Sequence, residues 1–328
     1  MKNDFMTKTL PYLTGVLKNG VSAWVFVVKL TLPALFLTRL LLVFDLLDGI
    51  ATFFEPAMAL FDLPSEMALV WVAYMAANSY VGISVFLTLL PTMDPLTLSQ
   101  ATTLGCMYLL AHSLIIEGQV CRGAGMSFVR VSLFRVIAAV ILGLIVSRTA
   151  ALTGWGTEPA TVMLSRLAFG DPVPPWGVWA WGIVTQMFLV LILMEALLFM
   201  MEFIKYFGLT RLIGKVLGPP LRLAGVGESA LMVTIIGCVV GLGYGGGLIV
   251  AESRSGNLPP GDIFGAMTLM AIFQSLVEDS LLAWAMGVSL WWLLGIRLIF
   301  VLLLAGVVNR LARRPRWHTV LVGKKLNF

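Results

Sequence analysis

Eight apolar blocks, at about 22–47, 66–91, 97–120, 126–148, 178–204, 228–251, 262–284 and 288–309, dominate the sequence. Each is long enough for a helix crossing a hydrocarbon core, which takes about 20 residues. No short alternating segments suggest strands, and backbone groups in lipid must find partners within their own segment, so each block is expected to be helical. Composition agrees. Hydrophobic residues make up 59% and charged residues 12% of the 328 positions, about half the charge of a soluble domain. Mean hydropathy is +0.96. Nothing outside the blocks is long enough for a separate soluble domain.

The net charge of +5 does not imply nucleic acid as a partner. The basic residues sit in short clusters beside apolar blocks: Lys2, Lys8 and Lys18; Lys205, Arg211, Lys215 and Arg222; Arg310, Arg313, Arg314 and Arg316. Cytoplasmic flanks of membrane spans look like this. Cys106, Cys121 and Cys238 lack metal or redox spacing and read as small apolar side chains. The first apolar block is too long for a signal-peptide core and reads as a retained anchor.

Eight crossings would place Arg122, Arg130 and the 205–222 cluster outside. If blocks 66–91 and 228–251 are re-entrant hairpins, Arg122, Arg254, that cluster and the basic tail all fall inside. Asp45, Asp48, Glu55, Asp62 and Asp94 then lie outside, with Arg148 and Arg166 as the only outlying basic residues. Both blocks carry breaks suited to hairpin tips, Asn78-Ser79-Tyr80-Val81-Gly82 and Gly241 to Gly247.

An ungapped offset of 162 residues superimposes Glu66 on Glu228, Ser113 on Ser275, Glu117 on Asp279 and Arg135 on Arg297. Four polar matches in so apolar a chain indicate duplication. Each half then holds three spans, one hairpin and an amphipathic interfacial piece near 49–62 or 207–224. Three crossings is an odd number, so the second half is expected upside down, an arrangement that points to secondary transport. The expected organisation is a cytoplasmic segment 1–21, repeat 22–148, linker 149–177, repeat 178–309 and a basic cytoplasmic tail 310–328. The location is an inner membrane.

The run Gly243-Tyr244-Gly245-Gly246-Gly247 through Glu252 to Gly256, followed by Phe273-Gln274-Ser275-Leu276-Val277-Glu278-Asp279, resembles the Gate, or nucleoside-recognition, family. Ala111-His112-Ser113 to Glu117 echoes the second element in the first half. The resemblance covers about 260 residues, with its sharp motifs in some 40. In its repeat the family is similar to concentrative nucleoside transporters and to the membrane part of ferrous-iron transporters. It implies a transport scaffold and leaves the solute open. Gln274 stands where the resemblance implies a histidine, which argues against a metal or proton role in the second half.

Ionisable residues within spans are functional candidates because their burial costs several kcal/mol. Arg135 and Arg297 sit one span beyond Glu117 and Asp279, so an antiparallel helix pair would join each arginine to its acid. These could be structural ion pairs, or could handle solute or protons. Glu66 and Glu228 open the hairpins and suit helix N-termini. The tips, Asn78, Ser79, Tyr80 and Gly243 to Gly247, are the expected solute contacts, with Ser113, Ser275 and Gln274 beside them and Glu278 among the charges. His112 and Glu117 lie five apart, about 140° around a straight helix, so no metal pair is expected. His112 could be a hydrogen-bonded helix residue or a proton carrier. Glu195, Lys29 and Arg39 form a possible pair between the first span and 178–204. Trp176, Trp179, Trp181, Trp291 and Trp292 suit interfacial belts.

The expected function is therefore transport of a small polar or anionic solute, with no cofactor, no metal and no enzyme chemistry. A homo-oligomer or membrane partner is compatible with it. The alternative is a non-transporting scaffold of an envelope complex.

Overall fold

The computed structural model describes residues 2–314, apart from 45, 169, 172, 207 and 257. Among these the chain is helical and has no strands beyond one isolated bridge between Thr97 and Pro159. In the first half, α1 (Lys2–Val43) is followed by α2 (Leu47–Ala59), α3 (Met67–Ala76), α4 (Ser79–Leu89), α5 (Leu98–Leu110), α6 (Leu114–Gly123) and α7 (Phe128–Thr153). The second half repeats this order as α8 (Trp176–Tyr206), α9 (Leu209–Leu223), α10 (Leu231–Val240), α11 (Leu242–Ser255), α12 (Pro260–Ile272), α13 (Glu278–Ala285) and α14 (Arg297–Ala312).

Five segments are long and apolar enough to cross a membrane: Gly20–Val43, Leu98–Gly123, Phe128–Thr153, Trp176–Met200 and Trp291–Ala312. The sixth expected span, 262–284, is divided into α12 and α13, and its second part starts on Glu278 and Asp279. That interruption and its charge keep it out of the set. Helix α1 runs from Lys2 without a break, and the part of it apolar enough to span a membrane begins at Gly20. Of the expected tail 310–328, residues 315–328 lie outside the described part.

The two suspect blocks fold back on themselves. At 10 and 11 residues, α3 and α4 are each about 15 Å long, half of a hydrocarbon core of about 30 Å. Their legs touch where Tyr74 lies on Gly82, so that a Cβ on Gly82 would come within 2.2 Å of the ring. In the second hairpin a Cβ on Gly245 would fall 2.3 Å from the Gly237 Cα. Residues eight apart thus meet across each break, as an antiparallel fold-back requires.

The interfacial pieces correspond to α2 and α9. On α9, Leu217 and Leu221 are buried while Leu212, Val216 and Leu223 are exposed. Lipid accepts that outer apolar face. The linker is pinned to the start of α5, where Leu98 and Ser99 donate to the carbonyls of Glu158 and Gly156 at 2.8 and 2.9 Å. Gly156 permits this approach with φ +74, and its missing Cβ leaves room for the Ser99 nitrogen. Trp155 meets Trp292 with ring centroids 5.7 Å apart, so the linker also rests on the second half.

Long helices α1 and α8 pack together, with Trp24 Nε1 donating to the Met187 carbonyl at 2.8 Å. The expected charge pair between them does not form. Arg39 donates to the Pro174 carbonyl and stacks over Trp176 and Trp179 at 5.2 and 5.9 Å. Lys29 is exposed, and Glu195 instead packs against Gly20, both its carboxylate oxygens lacking a hydrogen bond. Guanidinium planes stack well on indole, the contact that Arg39 makes with Trp176 and Trp179.

Candidate functional site

The site is built on two matching helix breaks. Between α5 and α6 the chain turns at Ala111-His112-Ser113, and between α12 and α13 at Phe273 to Val277. Ser113 has φ 48 and Ser275 has φ 46, two of only three non-glycine residues in the left-handed region among the described residues. A serine there is uncommon and costs roughly 1–3 kcal/mol, which the surroundings must hold in place. They do. The Ser113 amide donates to the Tyr74 carbonyl at 2.9 Å, and the neighbouring Leu276 amide donates to Cys238 at 2.8 Å. Each break is thereby tied to the end of the first leg of its own hairpin. The repeat offset of 162 residues thus carries a shared backbone geometry as well as shared residue types.

Breaking a helix frees carbonyl groups that must find donors. In the first half, Arg135 of α7 fills that need. Its Nε donates to the Leu110 carbonyl at 2.9 Å, and its Nη1 to Glu117. Arg135 is 1% exposed and Glu117 9%, so this is a buried, hydrogen-bonded ion pair of the kind expected from the sequence. Its counterpart does not form. Among the described residues no carboxylate lies within ion-pair distance of Arg297. Arg297 instead reaches Ser280 Oγ at 3.4 Å and lies over the Phe273 ring at 5.1 Å. A π-helical turn, Trp291–Ile296, immediately precedes it, where α7 is regular. The wider turn changes the helical register ahead of Arg297 and is the local difference between the halves.

Asp279 has turned across to the first half. Its Oδ1 accepts from Ser79 Oγ at 2.8 Å, and its Oδ2 is 3.3 Å from His112 Nε2. Its neighbour Glu278 accepts from the Tyr80 hydroxyl at 2.8 Å. The tip residues Ser79 and Tyr80 therefore contact acids of the second half. Asn78 caps α4, its side chain accepting from the Val81 amide at 3.0 Å.

His112 lies at the centre and is buried. Its Nε2 is 3.4 Å from Glu117 Oε1, against the separation expected from five positions on a straight helix. The break at Ser113 removes that premise by swinging α6 relative to α5. Gln274, the residue in place of a second histidine, joins the same group. Its Nε2 donates to Glu117 and lies 3.4 Å from His112 Nε2, while its Oε1 accepts from the Leu242 amide at 2.9 Å. Leu242 is the first residue of α11. Each hairpin's second leg is therefore bonded at its start to one buried cluster.

Other expectations are corrected. The second hairpin breaks at Gly241, with φ 120, at the start of the expected 241–247 run, and the glycines from Gly243 onward follow it within α11. Gly243, Gly245 and Gly246 are inside α11, and the Tyr244 side chain lies outside the described part. The glycines serve close packing: Gly245 against Gly237, and Gly246 against Val120 of α6, 2.5 Å from its notional Cβ. Ser113 and Ser275 shape the breaks, and Ser275 Oγ lies against the Gly241 tip, 2.8 Å from where a Cβ would stand. Glu66 stands at the N-cap of α3 without a side-chain capping bond. Glu228 forms an exposed two-point pair with Arg222, at 2.7 and 2.8 Å, which holds its carboxyl below the usual range.

Sequence reasoning passed over Tyr108. Tyr108 donates to the Asp279 carbonyl at 3.0 Å and stacks on Tyr74 at 4.2 Å. Its place one helical turn before His112 was the available signal. Among the described residues no three His, Cys, Asp or Glu side chains are grouped to hold a metal.

No protein-family profile matches the chain, and no solved structure matches it. The chain is similar to YvoD of Bacillus subtilis (strain 168), an uncharacterized membrane protein, at 25% identity over 331 residues. The alignment covers 96% of this chain and 98% of YvoD. Similarity along nearly the whole length, together with five apolar helices of spanning length, makes this chain an all-helical integral membrane protein.

Proposed function

We propose that the chain is a secondary transporter that moves a small polar or anionic solute across the bilayer, its two hairpins opening and closing around the buried cluster. The observation that carries this reading is the wiring of both second hairpin legs to one charged centre, through Ser79 to Asp279 and through Leu242 to Gln274. Ions buried at membrane depth are expensive and mark pathways or coupling sites. In this reading the halves are inserted in opposite orientations in an inner membrane, with both termini cytoplasmic. The Gate-family resemblance and the repeat order support that arrangement. With no nucleotide-binding motif in the sequence, the energy comes from an ion gradient or a partner.

A non-transporting scaffold is the second reading. It is favoured by the direct contacts that fill the cluster and by the small space beside Tyr74 and Tyr108, about 10 Å³. The two readings separate in proteoliposomes adsorbed on a solid-supported membrane and exposed to a panel of small polar and anionic solutes. Transport predicts solute-evoked charge movement in the wild type that Asp279→Asn abolishes. Flat traces across the panel, with Ser79 and Tyr80 tolerant of substitution, would support the scaffold.

A further inference from the structure

The proton inventory of the cluster points to a bound ion. His112 Nδ1 is 3.0 Å from the Tyr108 carbonyl, which can only accept, so Nδ1 carries a hydrogen. Nε2 then faces Glu117 Oε1 at 3.4 Å and Asp279 Oδ2 at 3.3 Å. A bare ring nitrogen and two carboxylate oxygens are all acceptors, and three acceptors cannot bond to one another. A proton on Nε2 lets the ring donate to both acids; without it the one donor facing the ring nitrogen is Gln274 Nε2, at 3.4 Å and already donating to Glu117. Glu117 is already matched by Arg135 and by Gln274. Asp279 has only Ser79 and the ring.

Arg297 supplies the other half of the argument. It is 1% exposed, its Nε lacks a partner, and it occupies the position whose equivalent, Arg135, grips the acid equivalent to Asp279. Arg297 Nη2 reaches Ser280 Oγ at 3.4 Å, the residue that follows Asp279 in α13. Among the described residues the groups facing His112 are Tyr108 from α5, Glu117 from α6 and Asp279 from α13. Arg135 of α7 stands behind Glu117, Tyr74 of α3 behind Tyr108, and Arg297 of α14 and the Tyr80–Glu278 pair near Asp279.

We infer that the chain binds one proton on His112 Nε2, shared with Asp279, and that release of this proton transfers Asp279 to Arg297. This rests on the transport reading in one respect, that the proton is the coupling ion. On release the proton leaves Nε2 for water, and the ring stays neutral with its Nδ1 hydrogen. Gln274 Nε2 can then donate to the bare nitrogen, and Asp279, having lost its cation, finds one in Arg297. Ser79 loses its acceptor, freeing the first turn of α4. The shift of Gln274 is felt at Leu242, so one proton addresses both hairpins. Such a switch needs two states with different partners for one group, and Asp279 has both partners on hand.

The chain holds two histidines, His112 and His318, so selective ¹⁵N-histidine labelling of the full chain in lipid nanodiscs gives two resolvable rings, assigned with His318→Gln. In a pH series the wild type is expected to pass from hydrogens on both nitrogens of His112 to a bare Nε2, and Asp279→Asn is compared with it at one pH within the protonated range. Asp279→Asn should remove the Nε2 hydrogen at the same pH. Arg297→Gln, which deletes the waiting partner, should retain it at an alkaline pH where the wild type has lost it. An arginine acting by its charge alone would move that signal in the same direction, so Arg297→Lys, which keeps the charge and loses the guanidinium fork, is read beside it and should also retain the Nε2 hydrogen. A bare Nε2 in the wild type at every pH, or an Arg297→Gln spectrum that follows the wild type, would overturn the proposal. Should Asp279→Asn fail to fold, the wild-type and Arg297→Gln spectra decide alone. No solute enters this experiment, so its failure and a failure of transport are separate results.

Discussion

The two halves use the arginine that follows each helix break differently: Arg135 grips the acid of its own half, and Arg297 does not. In the first, α5 begins with a capping box between Thr97 and Gln100, and Arg135 both satisfies the Leu110 carbonyl and neutralises Glu117. In the second, α12 begins with Pro259 and Pro260, Arg297 is left with Ser280 and a ring face, and Asp279 has crossed to the other half. The backbone frame is kept, down to the left-handed serines at 113 and 275. The polar wiring has diverged. A duplicated frame whose two charge sets were both closed would be two static ion pairs. Here one pair is fixed, and one acid and one cation remain to be reassigned.

The largest expected effect tests that contrast directly. Arg135→Met leaves Glu117 buried without its cation and should cost about 3–5 kcal/mol, whereas Arg297→Met removes a charge with no carboxylate partner and should be neutral or stabilising. Thermal unfolding of both variants in nanodiscs decides it, and equal losses would erase the difference between the halves. Next comes the bond between halves: Tyr80→Phe takes the donor from Glu278 and should cost about 1.5–3 kcal/mol, as for hydrogen bonds to charged groups. A smaller contrast lies within the second hairpin. Gly245→Ala drives a methyl into Gly237 and should cost about 1–3 kcal/mol, while Gly247, with nothing within 4 Å of a Cβ, should accept alanine with a gain of up to about 1 kcal/mol. Thr97→Ala should cost about 1 kcal/mol through loss of the capping box. Smallest is Glu228→Gln. The exposed Arg222 pair depresses the Glu228 carboxyl, so its contribution is present above the unfolded value and fades as pH falls. The expected change in melting temperature at physiological salt is not measurable.

Much of this frame was legible in the chain. Apolar block length gave the helical membrane class, and the repeat offset matched Ser113 with Ser275 and Glu117 with Asp279 because buried polar residues are scarce enough for coincidences to count, although the breaks at those serines were not read. The site was harder to read. Helical spacing separates His112 from Glu117 only while the helix is straight, and the residue that bends it is a serine, which carries no turn signal of its own. The glycine run misled for the opposite reason. Glycine marks either a turn or a close approach, and at Gly245 and Gly246 it is the approach that matters. The idle Arg297 was invisible because the matched offset implied matched pairing, and the π-helical turn ahead of it has no sequence signature in Trp291 to Ile296.

The central claim is that two oppositely inserted halves meet at one shared cluster. Single cysteines at the exposed, repeat-related positions Arg122 and Trp284, on a background free of the three native cysteines, test it with a membrane-impermeant thiol reagent. The account predicts labelling of position 122 from the cytoplasmic face and of position 284 from the opposite face. Labelling of both from the same side would contradict it.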